Sequence, residues 1–254
     1  MLHMISHGLA SARPPLLIAH GLFGSGRNWG VIAKRLSDSQ QVVAVDMRNH
    51  GSSLWSPDHS YEALADDLAE VITSLGGRAN VLGHSMGGKA AMMLALRHPD
   101  LVARLTVADI APVAYSHSQQ RNIDAMRALD LTTLDGRAAA QAALLPALKD
   151  PALAAFFTQS LDVKARAWRL NLDALEANMP KILGFPDVAG AAFDRPALFL
   201  SGATSDYVTP AYRPQIKALF RAAQFAKIPK AGHWLHAERP RAFEAALRAW
   251  LDAA

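Results

Sequence analysis

Nine residues, Val81-Leu82-Gly83-His84-Ser85-Met86-Gly87-Gly88-Lys89, constrain this chain more than any other stretch. A short apolar run breaks into a serine between glycines and continues as an Ala- and Met-rich segment. It therefore reads as a strand, a sharp turn and a helix, with Ser85 at the bend. The GxSxG spacing has a steric origin, because a residue strained at such a turn needs near neighbours without side chains, here Gly83 and Gly87. The serine hydroxyl is pushed out of the fold, and the helix start leaves backbone N–H groups unpaired, that of Met86 among them. With 16 Gly and 16 Ser in 254 residues, chance alone produces about 0.06 such matches, so the strand-turn-helix context carries the weight.

A chain of 254 residues holds one large α/β domain with an insertion, or two small domains. Half of it is hydrophobic, which is enough for a sizeable core, and it has no low-complexity segment or internal repeat. No apolar run approaches the length of a membrane span, and the N-terminus lacks the basic-then-apolar pattern of a secretory signal, so a cytoplasmic location is expected. The absence of Cys excludes disulfides, thiol catalysis and Cys-ligated metal. A net charge of +4 is spread without basic blocks or interleaved aromatics, so no nucleic-acid partner is expected.

Read in order, Leu16 to Ala19 is a buried strand that empties into His20-Gly21-Leu22-Phe23-Gly24-Ser25-Gly26. A helix over about 28–37 and a strand over 42–45 ending at Asp46 follow. Two strands joined by one helix make a right-handed parallel crossover. Ser60 caps an amphipathic helix carrying Leu64, Leu68, Val71, Ile72 and Leu75, and the strand 79–82 then feeds the elbow. Met86 to Arg97 is the elbow helix, stopped by His98-Pro99, and the strand 105–108 closes on Asp109. From 113 to 190 the alternation gives way to short Ala/Leu-rich helical patterns, an expected helical cap inserted into a core of 1–112 and 191–254. Within it Trp168, Leu170, Leu172 and Leu175 fit the apolar face of one helix, and Met126, Phe156 and Phe157 fit either packing or an acyl pocket. The strands 196–200 and 224–228 and a helix over 240–251 complete an α/β fold with a mostly parallel central sheet flanked by helices.

Sites in such sheets form at the carboxyl ends of strands, and Ser85, Asp109, Asp206 and His233 each lie just past one. A neutral serine is a poor nucleophile, so an imidazole must take its proton while a carboxylate holds the ring in the correct tautomer. The segments His20 to Ser25, Asp46 to Gly51, Gly83 to Lys89, Asp109 to Pro112 and Gly232-His233-Trp234-Leu235-His236-Ala237 resemble the α/β-hydrolase superfamily. More narrowly they are similar to its bacterial YbfF-type esterases and their ABHD11-like relatives. The resemblance implies an α/β-hydrolase fold and a serine carboxylic-ester hydrolase, or acyl-thioesterase, acting through an acyl-enzyme on small or medium acyl substrates without a cofactor. It also implies Ser85 as nucleophile, His233 as general base and acid, and the backbone N–H groups of Leu22 and Met86 as the oxyanion hole, although the Leu22-Phe23 loop leaves open which N–H points inward. The acid is expected to be Asp109, with Asp206 the alternative at the next strand end.

Other chemistries fit less well. His20 and His84 are expected to hold loop geometry, and Asp46 and Arg48 to tie neighbouring loops together. His233 and His236 stand three apart, but no third ligand is spaced to complete a metal site. Gly24, Gly26 and Gly30 mimic a dinucleotide fingerprint, yet four residues separate the strand from the first glycine where a tight turn is required. Gly83 to Lys89 satisfies GxxxxGK, but Ala90 follows and has no hydroxyl for Mg²⁺, which disfavours an NTPase. A non-catalytic ligand-binding protein on the same fold is the remaining alternative.

Overall fold

The computed structural model describes residues 1–253. Its centre is a seven-stranded sheet formed by β1 (His3–His7), β2 (Leu16–Ala19), β3 (Val42–Asp46), β4 (Ala79–His84), β5 (Val102–Ala108), β8 (Ala197–Gly202) and β9 (Ala223–Ile228). The spatial order is β1-β3-β2-β4-β5-β8-β9. Every neighbouring pair is parallel except β1, which runs antiparallel to β3 along the edge.

The alternation of side chains along each strand divides the core in two. On one face Leu16, Ile18, Val42, Ala44, Leu82 and Leu200 pack against Ile32 and Leu36 of α1 (Gly30–Leu36) and Phe243 and Leu247 of α11 (Pro240–Asp252). On the other, Leu17, Val43, Val81 and Val107 meet Leu64 and Leu68 of α2 (Tyr61–Ser74) and Ala90 and Leu94 of α3 (Met86–Arg97). The four residues of β2 and the five of β3 are all buried, as continuous apolar strands covered on both faces must be. Ser60 caps α2 by accepting the N–H of Ala63. Among the described residues no helix is long and apolar enough to cross a membrane.

Between β5 and β8 the chain leaves the sheet for α4 (Gln120–Arg127), α5 (Arg137–Leu148), α6 (Pro151–Thr158), α7 (Leu172–Ala177) and α8 (Met179–Leu183). This stretch also holds a two-stranded hairpin, β6 (Leu161–Asp162) with β7 (Ala167–Trp168). The single helix expected through Trp168 and Leu170 is therefore corrected: Trp168 lies on β7, Leu170 pairs with His50, and only Leu172 and Leu175 lie on a helix, α7. The turn between β6 and β7 carries Arg166 at φ +53°, a conformation no helix interior contains. The last elements are α9 (Arg213–Leu219) and the short α10 (Leu235–Glu238).

Strand order reverses between β2 and β4, because the chain moves outward from β2 to β3 and then returns to β4 on the other side. The crevice beyond the carboxyl ends of these two strands is where a parallel sheet binds ligands. His20 to Gly24 follow β2 and Ser85 follows β4, so both motifs border it.

Candidate active site

Ser85 sits between β4 and α3 at φ +53° and ψ −120°, a backbone conformation that side chains seldom adopt. Its neighbours explain how the turn closes. A Cβ added at Gly83 would collide with the carbonyl of Gly87, and one at Gly87 with the carbonyls of Ala19 and His20. The N–H of Ser85 donates to the carbonyl of Ala108 at 3.1 Å, which ties the turn to the end of β5.

From this turn the hydroxyl of Ser85 lies 3.1 Å from Nε2 of His233. Nδ1 of His233 donates to Oδ2 of Asp109 at 2.8 Å. Asp109 is fully buried, and both its oxygens are engaged: Oδ1 accepts the N–H of Gly202 at 2.9 Å, and Oδ2 also accepts the hydroxyl of Ser205 at 2.5 Å. These bonds fix the carboxylate in one orientation toward the imidazole. An imidazole held in this way can take a hydroxyl proton at Nε2 while keeping its Nδ1–H on the acid. Asp206 is exposed and makes no hydrogen bond or ion pair among the described residues.

Two further contacts fix His233. His84, the x of GxSxG before the serine, donates Nε2–H to the carbonyl of His233 at 2.9 Å. The ring of Tyr207 stacks on the imidazole with centroids 4.1 Å apart and planes 22° apart. Burial holds the His84 imidazole well below its ordinary pKa, so it remains a neutral donor.

The loop after β2 is tied to the loop after β3 by one histidine from each, His20 and His50. His20 accepts the N–H of Met47 at 2.9 Å through Nε2 and donates Nδ1–H to the carbonyl of Gly21 at 2.8 Å. His50 donates Nδ1–H to the carbonyl of Arg48 at 2.9 Å and accepts the N–H of Phe23 at 3.1 Å through Nε2. Phe23 is therefore already engaged, whereas the N–H groups of Leu22 and Met86 donate to no other group among the described residues. Behind them Nε2 of His59 lies 3.3 Å from the Sδ of Met86. Burial lowers His20, His50 and His59, the last to about 3, so all three serve as neutral scaffold. Neither composition nor periodicity marks His50 or His59 as structural. His50 lies in the Asp46-to-Gly51 motif, and His59 lies in no motif. Asp46 accepts the N–H groups of Gly26 and Ser52 at 2.8 and 2.9 Å, and Arg48 grips Asp67 with two bonds of 2.6 and 2.9 Å.

A cavity of about 310 Å³ opens over Ser85 and His233. Its lining is largely apolar, with Leu22 and Ile110 from the core and Leu153, Phe156, Phe157 and Ile182 from the inserted helices. Met126 is fully buried and packs outside this lining, with its carbonyl accepting Nε1–H of Trp168. Such a cavity matches the size and polarity of a small-molecule site.

Comparison with known proteins agrees with this architecture. The model of the alpha/beta hydrolase fold family matches residues 14–240. Over 249 residues the chain is 40% identical to the Mus musculus protein named sn-1-specific diacylglycerol lipase ABHD11, covering 94% of this chain and 81% of that one. Over 240 residues it is 37% identical to Esterase YbfF of Escherichia coli K12, covering 94% and 93%. A solved structure titled marine microorganism esterase superposes with a TM-score of 0.91 at 38% identity, over 98% of both chains. On the sheet order, the strained serine turn and these matches, the chain belongs to the α/β-hydrolase family.

Proposed function

We propose that this protein is a serine carboxylic-ester hydrolase that works through an acyl-enzyme on small or medium acyl groups, with acyl thioesters as a second substrate class. The observation that carries the reading is the unbroken hydrogen-bonded chain from Ser85 through His233 to the buried Asp109, at the floor of an apolar cavity. The names of the relatives, an esterase and a lipase, supply the class of bond.

In this reading the Oγ of Ser85 attacks the acyl carbonyl as its proton passes to Nε2 of His233, and Asp109 stabilises the imidazolium. The N–H groups of Leu22 and Met86 receive the oxyanion, each worth about 10²–10³ in rate. His233 then returns the proton to the leaving alkoxide or thiolate. A water, deprotonated by the same nitrogen, hydrolyses the acyl-enzyme. The chemistry calls for no cofactor and no metal. Residues 113–190 act as the cap, since four of the apolar lining residues named above come from them.

The test is a panel of nitrophenyl esters and acyl-CoA thioesters of graded chain length, run on wild type and Ser85→Ala. Turnover of esters by the wild type, lost by about 10³-fold or more in the variant, is the expected result. Equal rates for the two proteins refute the reading.

A further inference from the structure

Lys89 is the residue that makes Gly83 to Lys89 look like a phosphate-binding loop, and the esterase reading gives it no task. It lies one turn into α3, with its N–H bonded to the carbonyl of Ser85 at 3.0 Å, and its side chain is 1% exposed. Burying an ammonium is strongly unfavourable unless its donors are met. Here its Nζ donates to three carbonyls, those of Val113 at 2.8 Å, Leu183 at 2.8 Å and Gly184 at 2.5 Å. Two aromatic faces complete the enclosure, with Nζ 4.8 Å from the ring centre of Tyr115 and 5.9 Å from that of Tyr61. Among the described residues it forms no ion pair, so carbonyl dipoles and ring faces alone balance the charge.

The three carbonyls come from opposite ends of the insert. Val113 is where the chain leaves the core after β5, and Leu183 and Gly184 are where α8 ends and the chain heads back toward it. The carbonyls of a helix end have no partners within the helix, and a cation is the favoured group to meet them. The surrounding tyrosines hold the end of α8 as well: the hydroxyl of Tyr61 donates to the carbonyl of Ile182 at 2.6 Å, and the N–H of Tyr115, at the start of the insert, to that of Leu183 at 3.0 Å.

We propose that Lys89 is a positioning residue that clamps both ends of the 113–190 insert to the helix starting beside Ser85, holding the insert's wall of the cavity at a fixed height above the nucleophile. The clamp joins three segments through one ammonium, and neither a neutral apolar residue nor a carboxylate can replace it. Burial pushes its pKa down to about 7, which fits a group whose only stabilisation is this cage. The kinetic consequence rests on the reading of Ser85 given above, whereas the structural consequence does not.

The experiment compares wild type with Lys89→Met and Lys89→Gln by hydrogen–deuterium exchange of backbone amides and by kinetics on nitrophenyl acetate and nitrophenyl octanoate. In Lys89→Met, peptides from 113–190 exchange at least about tenfold faster while those from β4 and β5 stay within about threefold of wild type. Lys89→Gln, which keeps two N–H donors, shows a smaller acceleration of the same peptides. The rise in KM is larger for octanoate, whose chain needs the insert's wall, than for acetate. Wild-type exchange in the insert, or equal acceleration everywhere, overturns the proposal. If Lys89→Met does not fold, Lys89→Gln against wild type decides on the same two results. Absence of esterase activity in wild type would refute the functional reading and leave the exchange result to judge the clamp.

Discussion

The imidazole of His50 accepts the backbone N–H of Phe23 at 3.1 Å, and this removes Phe23 from the donors available to a bound substrate. Its other nitrogen is spent on the carbonyl of Arg48, so the ring is held on both sides in one tautomer. Of the Leu22-Phe23 pair, only the N–H of Leu22 is left unengaged.

Replacing His50 by Leu should therefore damage turnover rather than substrate binding. Without its acceptor, the Phe23 N–H is free to rotate toward the cavity and Leu22 loses its fixed direction. We expect kcat to fall about 10- to 100-fold with KM within about threefold, in steady-state assays on one nitrophenyl ester. An unchanged kcat in a folded His50→Leu protein argues against this role.

The two acidic residues considered for the relay make opposite predictions. Asp109 is fully buried with its carboxylate on His233, Gly202 and Ser205, while Asp206 is exposed. Asp109→Ala should lower kcat by about 10³-fold or more, because the imidazole loses its orienting partner. Asp206→Ala should stay within about threefold, as exposed substitutions generally do. Equal losses in the two variants would transfer part of the role to Asp206.

Acid should destabilise this protein through its buried histidines. His20, His50, His59 and His84 are buried, and burial holds each below the ordinary 6.5, His59 at about 3. In the unfolded chain these rings bind protons near pH 6.5, whereas in the folded one they do not. The stability at stake is thus complete above about pH 6.5 and falls as pH drops below it, for His59 down to about pH 3, by up to ~1.4 kcal/mol per pH unit for each ring. Urea denaturation at pH 7 and pH 4.5 should show a clearly lower midpoint at the acid value, and His59→Gln should flatten the dependence. A midpoint that holds or rises on acidification contradicts it.

Much of this molecule is legible from residue pattern, for reasons that also explain what is not. Buried parallel strands announce themselves as apolar runs such as Leu16 to Ala19, and glycines flanking Ser85 mark a turn that nothing bulkier permits. The strand His3 to His7 is hidden because it is a half-exposed edge, rich in His and Ser, without an apolar stripe. The hairpin of β6 and β7 has two residues in each strand, too few for any periodicity to register. Trp168 and Leu170 are spaced as if on a helix, but long-range pairing of His50 with Leu170 prevails over the local pattern. The positions of Ser85, His233 and Asp109 are readable because each follows a strand that can be found. The contacts of His50, His59 and Lys89 depend on loops brought together by the whole fold, and no local signal encodes them.

A Ser85 nucleophile activated by His233 is open to covalent trapping. Native protein is treated with a fluorophosphonate and its intact mass is followed, with the modified peptide sequenced. A single adduct on Ser85 is expected, formed rapidly by wild type, absent from Ser85→Ala and slowed by orders of magnitude in His233→Ala. No adduct on folded wild type, or an adduct on another residue at the same rate in all three proteins, would contradict it.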